Sequence, residues 1–278
     1  MTTVLVTGAN SGLGTAIVAA LLRRGARVVA TVRSDDAEHE LRAELDRLDG
    51  LRAADLADDR LTVDRLDVTD ADGCREVAVR HRPDVVVNNA GSALLGAVVD
   101  IDDDDARHQL DALVVGPVRL AREAIAVGGC RRIVQVSSMV SDGLVPFTGW
   151  YAAAKAALEA LSDVWRLELE ARGVEIVVVE CGAIATDVWQ DAGADVTAGG
   201  DATTAAGRQR WSTLVDLLEP RFEDPAVVAR TIAGAALDDR PPAHVRVGFG
   251  SSLPALARLV PEPIRRRIAT TLMDLRPR

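Results

Sequence analysis

Short aliphatic runs alternate with longer amphipathic segments along most of the chain, and no other feature narrows the fold as far. The runs fall at 3–7, 27–32, 61–66, 84–88, 132–137, 174–179 and 244–248. Between them the apolar residues recur at helical spacing over 12–24, 36–48, 70–81, 102–126, 150–172 and 225–238. Val85-Val86-Val87 and Val177-Val178-Val179 show no polar alternation, which is the pattern of strands buried on both faces. Strand–helix–strand repetition with such strands predicts an α/β fold, a doubly wound parallel sheet of about seven strands with helices on both faces. Gly25 and Gly173 stand just before a strand, where helices are expected to stop.

The rhythm breaks twice. From about 187 to 220 no strand is predicted, and Trp189 and Trp211 flank a Gly/Ala/Thr/Asp-rich stretch that reads as a flap beside a pocket. From about 253 to 278, Pro254, Pro261 and Pro263 punctuate an arginine-rich amphipathic tail. It is expected as a helix packed on the domain edge in preference to a membrane-surface element. With no repeats and no low-complexity linker, residues 1–278 are expected to form one domain.

Composition removes several functions. The formal net charge of −10 argues against a general nucleic-acid binder, which needs clustered cations. No apolar run reaches the length of a membrane span, and the opening residues carry no secretory pattern. Cys74, Cys130 and Cys181 are odd in number and far apart, as in a reducing compartment. A cytoplasmic protein is the expectation.

Three motifs carry chemistry. Thr7-Gly8-Ala9-Asn10-Ser11-Gly12-Leu13-Gly14 follows the first strand and opens the first helix. Glycines there let backbone N–H groups approach a pyrophosphate, although such a turn also serves as a plain strand-to-helix connection. Val87-Asn88-Asn89-Ala90-Gly91 ends the fourth strand, beside the strand-order reversal where ligands bind. These asparagines suit both loop tethering and a cofactor site, and Asn10 is the only other asparagine.

The third motif is Ser138, Tyr151 and Lys155. Tyr151 is the only tyrosine and Lys155 the only lysine among 32 basic residues. Chance alone would give that four-residue offset in roughly one chain in 280 of this length. A helix brings i and i+4 to one face, so the ammonium is expected near the phenol, moving its pKa toward neutrality. A hydroxyl tuned in this way gives or takes a proton, and Ser138 is placed to hydrogen-bond the reacting oxygen. A surface tyrosine with a helical lysine neighbour is the plainer alternative.

Together these motifs resemble the classical short-chain dehydrogenase/reductase family over essentially the whole chain. Gly8, Gly12 and Gly14 match its glycine motif, 88–91 its Asn-Asn-Ala-Gly, and Ser138, Tyr151 and Lys155 its catalytic set. The resemblance implies a Rossmann-type fold and hydride transfer between a nicotinamide and a carbonyl/alcohol pair. It also implies that Asp67 and Val68 contact the adenine, and that Gly182, Ile184 and Thr186 form the nicotinamide loop. Asn10, Ser11, Leu13, Asn89, Ala90 and Gly91 complete the expected coenzyme site, in which Tyr151 and Lys155 take part. Cys181 stands where the family has proline.

The family's fourth catalytic residue, an Asn three positions before a Gly, falls on Leu113 ahead of Gly116. Leucine has no hydrogen-bonding group, so the family's water-linked relay from Lys155 lacks its usual anchor. A carbon-cyclising or dehydrating enzyme on the same scaffold therefore stays open, as does a non-catalytic NADP(H)-binding sensor.

At the end of the second strand, Val32 is neutral and Arg33 offers a guanidinium suited to a 2′-phosphate. Asp35 and Asp36 read as first-turn helix charges. NADP(H) is expected, with NAD(H) the lesser choice. The expected substrate is a small-molecule carbonyl or alcohol, bulky and mainly apolar, walled by Leu94, Trp150, Trp189 and the flap. Asp100 and Asp102 to Asp105 read as helix-opening charges, and no metal site is predicted. No Gly-x-Ser-x-Gly turn supports a hydrolase. The 150–172 helix is apolar on more than one stripe, which predicts a homo-oligomer, dimer or tetramer.

Overall fold

Val4, Leu5 and Val6 are wholly excluded from water because the first strand, β1 (Thr3–Thr7), runs through the middle of a seven-stranded sheet. The computed structural model describes residues 1–143, 145–186, 202–257, 259–273 and 275. The other strands are β2 (Arg27–Val32), β3 (Leu61–Arg65), β4 (Val85–Asn88), β5 (Arg132–Ser138), β6 (Glu175–Cys181) and β7 (His244–Val247). Their order is β3-β2-β1-β4-β5-β6-β7, with every neighbouring pair parallel. This is a Rossmann-type doubly wound sheet, and the order reverses between β1 and β4.

Helices α1 (Gly12–Arg23), α2 (Asp35–Arg47) and α3 (Ala71–His81) follow the first three strands. Then come α4 (Asp103–Leu110), α5 (Gly116–Ala126), α6 (Gly149–Leu169), α7 (Ala202–Leu218), α8 (Pro225–Leu237), α9 (Leu253–Ala257) and α10 (Glu262–Leu272). One core layer packs α1, α2 and α8 on the sheet through residues such as Ile17, Leu41 and Ile232. The opposite layer uses Val77, Leu120 and Leu169 of α3, α5 and α6. Apolar strands with helices on both faces therefore bury two continuous cores.

The helix ends follow side-chain chemistry. Ser11, Ser34, Asp70, Asp102 and Asp224 accept N–H bonds from the first turns of α1, α2, α3, α4 and α8, supplying partners that a helix start otherwise lacks.

Among the described residues Arg132 is the largest side chain fully enclosed. Its Nε donates to Glu175 at 2.7 Å, and its Nη1 donates to the carbonyls of Ala236 (2.9 Å), Asp238 (2.8 Å) and Ala235 (3.3 Å). One guanidinium thus closes the C-terminus of α8 against the starts of β5 and β6, where the last carbonyls have no intrahelical donors.

The segment 102–126, expected as one helix, is broken by a π-helical turn over Asp111–Val115. The Gly116 N–H bonds back to the Asp111 carbonyl. Pro117 has no N–H to give the Leu113 carbonyl, and its ring disfavours a regular turn before it. A widened turn resolves that conflict. Asp111 itself pairs with Arg119 at 3.0 Å.

Candidate active site

At the order reversal, the end of β4 is tied to the end of β1. The Thr7 hydroxyl accepts from the N–H groups of Asn89 (3.0 Å) and Ala90 (2.9 Å). The Asn89 amide donates to the carbonyls of Thr7 (3.0 Å) and Gly8 (3.1 Å). Asn88, fully inside, donates to Pro117 O and to Gln135 of β5. Both asparagines are therefore tethers that set the loops around a cleft.

That cleft has two connected parts. One, of about 360 Å³, is lined by Gly8, Asn10, Arg33, Asp67, Val68 and Ala90 among others. The other, of about 140 Å³, is lined by Gly12, Leu13, Ser138, Tyr151, Lys155, Gly182, Ile184 and Thr186 among others. Ser11, Asn89 and Gly91 border both. Of the residues expected to hold a coenzyme, only Gly14 lines neither part. It is a spacer: a Cβ on Gly14 would lie 2.1 Å from the Gly8 carbonyl oxygen, so the absence of a side chain lets α1 start against the strand-end turn. The two-part cleft, the N-terminus of α1 and the Asn89 tether fit a dinucleotide lying across the strand ends.

Tyr151 and Lys155 occupy one face of α6, with the ammonium 5.8 Å from the phenol ring centre. The Lys155 Nζ donates to the Val136 carbonyl at 2.8 Å. Ser138 ends β5, and its hydroxyl hydrogen-bonds the Tyr151 phenol. The electrostatics correct one expectation. Burial pushes the Tyr151 phenol up to about 12, and the Ser138 hydrogen bond offsets only part of that rise. Burial, not the nearby ammonium, therefore sets the direction of the phenol's shift. The pKa of Lys155 itself falls to about 8, again because burial disfavours the charge. Desolvation outweighs the charge pairing in this pocket.

Leu113 is 1% exposed and packs with Val114, Ala154, Leu110 and Tyr151. Gly91, at φ +135°, presses on it: a Cβ there would fall 2.1 Å from Leu113 Cδ2. Apolar packing fills this position.

Behind the smaller part of the cleft, Leu95 and Tyr151, which line it, pack with Phe147, Trp211 and Met273, which do not. Phe147 takes φ +68°, a strained backbone for an aromatic residue. The Gly96 N–H donates to its carbonyl at 2.8 Å, and Trp211 meets its ring edge-on at 6.3 Å. The walls expected from sequence shift accordingly. Leu94 borders the coenzyme part of the cleft, Trp150 lines neither part, and Trp189 lies outside the described residues. Of the 187–220 flap, the described portion is helical across α7.

Glu159 escaped the sequence reading. It lies one turn beyond Lys155 on α6, takes a hydrogen bond from Ser137, and is raised in pKa chiefly by burial. Its i+4 spacing from Lys155 was the available signal. Val136 was also missed, since a backbone carbonyl leaves no mark in a sequence.

Comparison with known proteins agrees with this geometry. The short chain dehydrogenase family model matches residues 2–197. The chain is 34% identical over 197 residues to short-chain dehydrogenase PC-15 of Penicillium crustosum, spanning 68% of each chain. It is 32% identical over 196 residues to an NADPH-dependent 1-acyldihydroxyacetone phosphate reductase of Schizosaccharomyces pombe, spanning 66% of this chain and 60% of that one. A solved short-chain dehydrogenase from Streptomyces avermitilis superposes with a TM-score of 0.75 at 27% identity, over 96% of this chain and 94% of the other. The chain belongs to the short-chain dehydrogenase/reductase family, a class of NAD(P)-dependent oxidoreductases. Among the described residues, no helix is long and apolar enough to cross a membrane.

Proposed function

We propose that the protein is an NADP(H)-dependent ketoreductase or alcohol dehydrogenase acting on a bulky, mainly apolar small molecule. The observation that carries this reading is the joint placement of Ser138, Tyr151 and Lys155 on one cavity, with Lys155 held to the Val136 carbonyl. When bound, the coenzyme supplies the hydride. Ser138 holds the substrate oxygen, Tyr151 delivers its phenolic proton there, and the Lys155 ammonium stabilises the phenolate left behind. Ala93, Leu95 and Val140 give the cavity an apolar wall, backed by the Phe147, Trp211 and Met273 cluster, which favours apolar substrate surface. Consumption of NADPH with hydrophobic ketones, followed by absorbance, is the direct test; binding without consumption for every carbonyl tried would count against it.

Preference for NADP(H) rests on Arg33, exposed at the rim of the larger cavity. Asp35, two residues on in sequence, is engaged with Arg65, while Asp67 on the same cavity feels the Arg33 charge. The NADPH dependence named for the yeast relative points the same way. Arg33→Asp is expected to weaken NADPH binding by tenfold or more, because the new carboxylate repels a 2′-phosphate. Titration of both reduced coenzymes would show it; unchanged NADPH affinity would remove Arg33 from the reading.

Leu113 favours a second reading, a non-redox step such as dehydration or cyclisation, since its apolar seat offers no side-chain relay partner. Leu113→Asn separates the two. For a reductase limited by proton supply, turnover should rise several-fold, with a stability cost of about 1–3 kcal/mol for placing an amide among apolar neighbours. A folded variant with unchanged or lower turnover would favour the second reading. The exposed Leu161, Val164 and Leu167 on α6 support a homo-oligomer joined through that helix.

A further inference from the structure

The tail presents an amphipathic helix with its apolar side outward. Among the described residues, six of the sixteen exposed large apolar side chains fall within 253–272. On α10, Ile264, Ile268 and Leu272 are spaced i, i+4, i+8, so they form one stripe, and each is about half exposed (51%, 52% and 52%). Across the helix, Glu262 and Arg266, both exposed, and Thr270 border an open groove with Val145, Pro146 and Ala152. The far end of the helix is pinned. Met273 packs with Phe147 and Trp211, and Arg210 donates to the Leu272 carbonyl at 3.2 Å. Leu253, Leu256 and Leu259 extend the apolar surface at 61%, 60% and 83% exposure.

Charge selects the occupant. Residues 253–278 hold six arginines against two acidic residues, in a chain of net charge −10. Arg265 and Arg267 flank the stripe; Arg267 is exposed, Arg265 is half-buried with its Nε enclosed, and among the described residues neither pairs with a carboxylate. We infer that α10 docks the protein on an anionic lipid surface, its aliphatic stripe entering the interface and its arginines reaching phosphate headgroups. A second copy fits poorly. A two-fold pairing along this stripe would bring Arg265 and Arg267 beside the same residues of the partner. The acidic body is repelled by an anionic surface, so the basic tail is the side that faces it.

The test is co-sedimentation of the full chain with vesicles of phosphatidylglycerol or of phosphatidylcholine. Phosphatidylglycerol vesicles are expected to bind at least tenfold more tightly, with binding falling steeply as salt rises. Ile268→Asp should abolish the binding, and Arg267→Gln should weaken it by about fivefold. Both positions face solvent, so thermal stability should not change. Absence of binding to phosphatidylglycerol, or equal binding to both lipids, overturns the inference. So does binding that neither substitution alters, or a self-association that Ile268→Asp removes while vesicles are ignored. The salt titration of the unsubstituted protein decides the charge requirement without any variant.

Discussion

Tyr151→Phe is expected to lower carbonyl reduction by roughly 10²–10⁴-fold, the range over which a positioned acid–base group acts. Coenzyme binding and thermal stability should stay near those of the parent, because the ring is kept and only a hydroxyl bonded to Ser138 is lost. The pH profile carries further information. With the phenol near 12, its proton is in place throughout neutral pH. With Lys155 near 8, the ammonium is charged below that value and lost above it. Reduction should therefore be flat at and below neutrality and fall as pH rises through about 8, since a neutral amine no longer stabilises the forming phenolate. A reduction rate that climbs from pH 7 to 10, or a phenylalanine variant that reduces as well as the parent, would contradict this assignment.

Arg132→Met should cost about 3–5 kcal/mol of stability, because each buried acceptor left without its donor costs about 1–3 kcal/mol. The methionine fills the volume, but the carbonyls of Ala235, Ala236 and Asp238 lose their donor in a site closed to water. For a domain of this size the loss corresponds to about 10 °C in Tm. Glu175, half exposed, regains water and softens the effect. Calorimetry of the variant measures it directly; a shift under about 2 °C would mean that the α8 terminus finds other partners. Lys at this position should rescue little, because an ammonium cannot span the three carbonyls and a carboxylate at once.

The strands were legible because parallel strands buried on both faces leave unbroken aliphatic runs, and Val85-Val86-Val87 could hardly be anything else in a chain with this rhythm. The cleft at the strand ends was legible because glycines and asparagines there have few other uses. What escaped involves backbone or burial. The π-helical turn follows from Pro117, yet a proline in a helical pattern more often signals a plain helix start. The Val136 carbonyl that holds Lys155 has no side-chain signature. The direction of the Tyr151 shift depended on how much water the pocket excludes, and spacing alone does not report that. Arg132, one of 31 arginines, gave no sign that it alone among those described would be enclosed.

A lysine side chain is among the most mobile in proteins, and freezing its four-carbon stem costs up to about 2 kcal/mol. In this fold a strand oxygen already restrains the stem, so that ordering is completed as the chain folds. A ligand arriving at the cleft meets a cation whose position is set in advance, and its affinity is spared that loss of freedom.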